Sequence, residues 1–228
     1  ESMLAHLPPD DPFHQIAGTG AEIVSTMIED GYTGRKGKGG FYRLNVVDGK
    51  RVKEARSLST GEYAPAIRRA AFPSANMGRQ GLAAILDYPD EGAAFVSDVL
   101  LDTLSYAAYI VPEVSDDIHA IDGAMRVGYN WKRGPFEMMD EIGADSMVER
   151  LASSGRAVPA FLKLAAERGG FYAVKEGEIQ RLSPKGKMLT VERPASTLTV
   201  ADLKRRGKPL NRNGSASVWD MGDGVLLV

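Results

Sequence analysis

No cysteine occurs anywhere in the chain, so neither a disulfide framework nor a thiolate metal site or nucleophile is available to it. Imidazole chemistry is nearly as scarce, with only His6, His14 and His119 to carry it. Charge of one sign is missing as well. Against 28 basic residues stand 30 acidic ones, a net charge of -2, and no long-range field favours a nucleic acid or a membrane surface. The first residues, ESMLAHLPPDDP, lack a basic region followed by an apolar run, which excludes a signal peptide in this stretch. Glu1 to Met3 read as a cloning remnant. The thiol-free composition fits a reducing compartment, and a cytoplasmic location is the expectation.

What is present is enough apolar content over 228 residues for a substantial core, in one large or two small domains. Asp116 to Gly143, DDIHAIDGAMRVGYNWKRGPFEMMDEIG, reads as helix, loop, helix. Asp116 and Asp117 are candidate caps for the first helix. Ile118, Ile121, Ala124 and Met125 share one face, and Gly128 is expected to stop it before an aromatic loop of Tyr129, Asn130 and Trp131. Gly134-Pro135 starts the second helix with proline at its first position. Phe136, Met139 and Ile142 give that helix its apolar face, and Gly143 is the expected left-handed cap.

Elsewhere the spacing predicts helices over 21–30, 77–86 and 90–111. The last is apolar around most of its circumference, with Asp98, Asp102 and Ser105 as a polar stripe. That pattern points to a central core helix rather than a membrane span. Asp145 to Ser153 and a short segment carrying Phe161, Leu162 and Leu164 complete the helical block. Hairpins are expected at Asp48-Gly49, Gly177 and Asp223-Gly224. The pair Gly39-Gly40-Phe41-Tyr42 and Gly169-Gly170-Phe171-Tyr172, each between a helix and a hairpin, suggests a duplicated unit. From Ser183 to Asn213 the chain is basic and proline-rich, with one short helix capped by Thr199, and reads as a linker. Its final strand, Val225 to Val228, reads as cut off, so the chain is expected to be a piece of a longer polypeptide.

Few residues present themselves for chemistry. The run Gly34-Arg35-Lys36-Gly37-Lys38-Gly39-Gly40 fits neither GxxxxGK[ST] nor GxGxxG, and it lies between a helix and a strand in the order opposite to a dinucleotide-binding turn. Arg35, Lys36 and Lys38 remain weak candidates for the phosphate of a bulky ligand such as coenzyme A, against a solvated tight turn. His119 has Asp116 and Asp122 at helical spacing but no evident cleft. Asp10-Asp11 and Asp116-Asp117 read as caps or turns before metal ligands. No GxSxG nucleophile elbow occurs. No catalytic, cofactor or metal residue is assigned.

Ile121 to Gly143, IDGAMRVGYNWKRGPFEMMDEIG, resembles the signature of the 3-hydroxyacyl-CoA dehydrogenase C-terminal domain, an "ID" helix running into a "GPF-apolar-apolar-D-apolar-G" helix. Asp122, Gly128, Gly134, Pro135, Phe136, Asp140 and Gly143 carry that motif. Ala93 to Val111 is similar to the family's core helix, and TGRKGKGGFYRL to the segment that closes the domain. SVWDMGDGVLLV resembles the opening strands of an enoyl-CoA hydratase (crotonase-like) domain. The resemblance implies a mainly α fold of the 6-phosphogluconate-dehydrogenase C-terminal type, with short hairpins after the GGFY motifs. Residues 1–60 would be the tail of a first copy, 61–183 a second copy, and 184–228 a linker with the first strands of a crotonase-like domain. The second copy ends in ERGGFY, without the GRKGKGG loop.

The resemblance further implies an NAD-dependent L-3-hydroxyacyl-CoA dehydrogenase of fatty-acid β-oxidation as parent. Its Rossmann domain, catalytic histidine with orienting glutamate, and asparagine at the start of the first helical copy have no counterpart in these residues. The expected partners are that NAD domain, the crotonase-like domain and an acyl-CoA, with a homodimer as a further expectation. A non-enzymatic helical interaction or dimerisation module is the alternative.

Overall fold

The structure, a computed structural model, describes residues 4–16, 21–67, 71–192 and 199–228. Glu1 to Met3, and Arg193 of the basic stretch, lie outside them. The chain divides into two compact units, Glu1–Ala71 and Phe72–Val228.

In the first unit, helices α1 (Phe13–Ile16) and α2 (Ala21–Glu29) precede a three-stranded antiparallel sheet of β1 (Tyr42–Val47), β2 (Lys50–Arg56) and β3 (Tyr63–Pro65), paired in that order. Asp11 begins α1 by accepting from Phe13 N at 2.8 Å, the capping role expected of it. Asp48 and Gly49 both have positive φ, 50° and 75°, which is the type I′ turn that a two-residue hairpin of right-handed twist demands. Between the strands Glu54 is buried and accepts from Arg43 Nε at 2.6 Å and Asn45 Nδ2 at 3.1 Å. These bonds hold the Glu54 carboxyl below its ordinary range. The Arg43 guanidinium lies 4.0 Å from the Tyr63 ring centroid, so this face of the sheet is built on charge and ring contacts rather than on an apolar core.

The second unit opens on a 3-10 helix, Pro73–Arg79, followed by α3 (Leu82–Leu86), α4 (Glu91–Tyr109), α5 (Ile118–Tyr129), α6 (Pro135–Ile142), α7 (Ala144–Ser153) and α8 (Ala160–Arg168). A three-stranded sheet of β4 (Tyr172–Lys175), β5 (Glu178–Leu182) and β6 (Met188–Thr190) comes next. Then α9 (Val200–Arg206) leads to a smaller sheet of β7 (Asn211–Arg212), β8 (Ser217–Gly222) and β9 (Val225–Leu227). The β4–β5 and β8–β9 turns again place two consecutive residues at positive φ, Glu176-Gly177 and Asp223-Gly224. Thr199 caps α9 as its sequence position implies, with Asp202 closing the capping box.

One core fills the helical block. Phe136, Phe161 and Phe171 meet edge to face with centroids 5.0 to 6.2 Å apart, and Leu104, Ile118, Met139, Met147, Leu151, Leu162 and Leu182 close around them. No helix among the described residues is long and apolar enough to cross a membrane.

Several local expectations need correction. The helix expected over 77–86 is two pieces, because Gly81 has φ 103° and breaks the path between the 3-10 helix and α3. α5 runs through Gly128, the residue expected to stop it, to Tyr129 and ends on Asn130, a left-handed cap with φ 56°. Its N-terminal cap is Asp117 alone, accepting from His119 N at 2.9 Å and Ala120 N at 3.3 Å, while Asp116 gives its carbonyl to Arg181. Ala124 is exposed and its place on the buried face is taken by Asp122. Gly143 has φ 96° and ψ 124°, so it is not an αL cap but a joint between α6 and α7. The long helix packs on α3, α6, α7, α8 and the 3-10 helix, as expected of a central helix, but it is covered on one side only. Ala93, Leu101, Leu104 and Ala108 face the core, whereas Phe95 is 70% exposed and Val99 47%. Its acidic stripe is held by Arg156, which donates to Asp98 and Asp102 at 2.9 and 2.8 Å.

Candidate functional site: a carboxylate scaffold around Asp122 and Asp140

The N-terminus of a helix leaves backbone N–H groups without intrahelical acceptors, and a Ser, Thr, Asp or Asn at the cap position ordinarily supplies one. α6 begins instead on Gly134, which has no side chain to offer. The acceptor comes from another helix. Asp122, on the buried face of α5, takes Phe136 N at 2.9 Å on one oxygen and Glu137 N at 3.3 Å on the other. Glycine is required at 134 for this arrangement, since a Cβ there would lie 2.2 Å from the Asp122 carboxylate. Glu137 completes the cap by accepting from Gly134 N at 2.8 Å and pairing with Arg126 of α5.

The same device recurs twice. Asp140, one turn further along α6, accepts from Phe171 N at 2.7 Å and Tyr172 N at 2.8 Å, fixing the entry into β4. A Cβ on Gly170 would approach Asp140 Oδ1 to 2.9 Å. Glu141 accepts from Leu82 N at 3.1 Å and starts α3, which also begins after a glycine, Gly81. Tyr172 joins the first two sets: its main chain is held by Asp140 and its hydroxyl donates to Asp122 at 2.7 Å.

The electrostatics follow from burial. Asp122 is fully inaccessible, and desolvation pushes its carboxyl up from the usual 3.8 to about 6, against the lowering effect of the Tyr172 hydroxyl and the Phe136 N–H. Burial likewise raises Asp140, again opposed by its two main-chain donors. The Tyr172 hydroxyl is pushed up by burial and by the neighbouring Asp122 charge, so it stays a donor.

Of the residues singled out from sequence, Asp122, Gly134, Pro135, Phe136 and Asp140 are thus brought together around the α5–α6 corner. Arg35, Lys36 and Lys38 lie in the other unit, in a loop closed by Gly34 N donating to Gly39 O at 2.7 Å. There Lys38 Nζ donates to Asp30 O at 2.9 Å, past the end of α2, and Arg35 and Lys36 are exposed. His119 stands on α5 with its ring edge-on to Tyr172, centroids 6.3 Å apart. Tyr172 entered the sequence reading only as part of a GGFY repeat, and Glu137 and Glu141 were not singled out there. The available signals were a helix starting on Gly-Pro without a capping side chain, and an aspartate falling on the apolar face of the helix before it. Among the described residues no group of three or more His, Asp or Glu is placed to hold a metal ion.

Residues 95–186, which hold the whole Asp122–Asp140–Tyr172 network, match the family model for the 3-hydroxyacyl-CoA dehydrogenase C-terminal domain. A Bacillus subtilis protein named "Probable 3-hydroxyacyl-CoA dehydrogenase" is 31% identical over 214 residues, 90% of this chain and 26% of its own length. A Rickettsia felis protein, provisionally named a fatty acid oxidation complex trifunctional enzyme, is 35% identical over 138 residues, 60% of this chain and 18% of its own. Its Rickettsia prowazekii namesake is 34% identical over 138 residues, with the same shares. The chain therefore spans about a quarter or less of these curated relatives. No solved structure matches it. The match falls on the residues that the carboxylate network ties together, so that over residues 95–186 this chain is similar to the C-terminal domain of 3-hydroxyacyl-CoA dehydrogenases.

Proposed function

We propose that the chain is the helical part of an NAD-dependent L-3-hydroxyacyl-CoA dehydrogenase of fatty-acid β-oxidation, joined in its parent to an enoyl-CoA hydratase. One observation carries the reading: Asp122 and Asp140 use their oxygens on main-chain N–H groups and a tyrosine hydroxyl, in a segment matched by the family model. Carboxylates spent in this way rigidify a corner. Their role is to present a fixed helical surface to the domain that holds NAD and the catalytic base, and to help wall the acyl-CoA cleft or carry a subunit contact. Residues 1–60 are then the tail of a first helical copy, 61–183 a second, and 184–228 a linker and the first strands of the hydratase. In the parent, NAD supplies the hydride acceptor; no residue of this chain is assigned to it.

The test is direct. Purified residues 1–228 should show no oxidation of NADH with acetoacetyl-CoA, while the full-length parent does so. Turnover by the isolated chain, free of contaminating enzyme, would refute the assignment of the chemistry to another domain. The exposed Phe95 and Val99 on α4 favour a second reading, a non-enzymatic helical dimerisation module. Activity of the full-length parent separates the two, since the dehydrogenase reading requires it to oxidise NADH with acetoacetyl-CoA, whereas the module predicts no such activity and a self-association that weakens on Phe95→Glu.

A further inference from the structure

The basic stretch that follows β6 leaves an open cavity of about 400 Å³ between α9 and the β7–β8 pair. Strand register sets its floor. Arg212 lies opposite Ser217 in the ladder, and Trp219, two residues on, returns to the face of Ser217 and donates its Nε1–H to that hydroxyl at 2.8 Å. Lys204 lines the cavity from the helix side, and Pro209 and Ala216 give it an apolar wall. All of these residues lie beyond residue 186, so the cavity stands apart from the carboxylate corner and from the matched segment.

The lining is rich in donors and short of acceptors. Asn213 spends its side-chain oxygen on Ser215 N and Ala216 N, both at 2.8 Å, which leaves its amide N–H groups to donate. Ser217 accepts from Trp219, which leaves its O–H to donate, and Ser215 adds a second hydroxyl. Among the described residues no carboxylate lines the cavity, and neither Lys204 nor Arg212 is paired with one. The acids nearest in the chain are engaged elsewhere. Asp202 holds Thr199 and Arg205, and Asp220, on the face of β8 opposite to Trp219, accepts from Gly222 N.

A cationic ligand would be repelled by this lining, and a neutral amide would leave both charges unmatched. A carboxylate brings one charge and two oxygens. A phosphate group brings nearly two charges and three acceptor oxygens, which matches two cations flanked by hydroxyls and an amide. We propose that this cavity binds a phosphate group, held by Lys204 and Arg212 and by the hydroxyls of Ser215 and Ser217. Its size falls within the range of small-molecule sites, roughly 300–1,000 Å³, so the group can arrive on a small organic ester, whose body would lie on Pro209 and Ala216, or as the free ion. The inference goes beyond the dehydrogenase reading and does not depend on it, because it uses no residue of the matched segment.

The experiment titrates phenyl phosphate, inorganic phosphate, benzoate and benzylamine into the 228-residue chain, followed by calorimetry and by the Trp219 indole N–H resonance. Salt is held at about 0.15 M, where exposed charges more than about 8 Å apart are screened. Phenyl phosphate should bind saturably and shift that resonance. Benzoate, with one charge fewer, should bind at least about fivefold more weakly, and benzylamine should not bind. Lys204→Gln and Arg212→Gln should each weaken phenyl phosphate about fivefold, the upper end for an exposed ion pair. Both side chains are exposed, so the variants keep the fold. Lys208→Gln removes an exposed charge outside the lining and should leave binding unchanged. Inorganic phosphate that competes as well as phenyl phosphate identifies the free ion as the source, and weaker competition identifies an ester. No saturable shift, benzoate binding as tightly as phenyl phosphate, unchanged binding in both lining variants, or an equal loss in Lys208→Gln overturns the proposal.

Discussion

Replacing Asp122 by alanine tests the scaffold at its most connected atom pair. The substitution strands three donors, Phe136 N, Glu137 N and the Tyr172 hydroxyl. Each buried donor without a partner costs about 1–3 kcal/mol, a gross loss of about 3–9 kcal/mol. Part is offset, because the ionised carboxylate is itself unfavourable where it sits. A carboxyl raised from 3.8 to about 6 binds its proton more tightly in the folded chain than in the unfolded one, a difference of about 3 kcal/mol. The wild-type contribution from this group is therefore fully present below about pH 4 and lost as pH rises through about 6. Asp122→Ala should cost about 2–4 kcal/mol at pH 7, with waters taking up some of the stranded donors. The cost should be larger at pH 5, where the wild type still holds its proton. Urea unfolding of both proteins at the two pH values reads this out, and the other titrating groups, being common to both, cancel in the comparison. A loss under about 1 kcal/mol at pH 7, or an equal loss at pH 5, would refute the capping argument.

Other substitutions probe separate links. Gly134→Ala places a Cβ 2.2 Å from Asp122 and should destabilise by about 2 kcal/mol or more, whereas a neutral effect in thermal unfolding would mean that Asp122 does not lie against the α6 terminus. Phe136→Ala empties a fully buried ring site between Phe161 and Phe171 and should cost about 3–5 kcal/mol; a melting shift near zero would contradict its burial. Asn130→Gly should be neutral or slightly stabilising and Asn130→Ala should cost about 1 kcal/mol, since φ is 56° there; equal stability of the two variants would argue against a left-handed cap.

Short-range features were legible because they depend on a few adjacent residues. Asp48-Gly49 and Asp223-Gly224 make type I′ turns for reasons contained in the dipeptide, and Thr199 caps α9 three residues from Asp202. Periodicity placed α7 to within a residue and found three positions of α8, but it overstated how fully α4 is enclosed. An apolar circumference does not tell which side other elements cover, and Phe95, Val99 and Tyr109 of that helix stay exposed.

The sequence by itself determined the turns, most helix extents, the inward face of Phe136, Met139 and Ile142, and the motif that resembles the family. Only the tertiary structure decided what the signature is for. Asp122 and Phe136 are fourteen residues apart, and Asp140 and Phe171 thirty-one, too far for any local rule to pair them. Three elements begin close after a glycine and donate their first main-chain hydrogen bonds to a carboxylate on a neighbouring helix: Asp122 for α6, Asp140 for β4 and Glu141 for α3. A local cap would let each element form alone. A cap lent across the core forms only when the helices are already packed, so the acidic residues and the glycines acquire their meaning together, in the folded state.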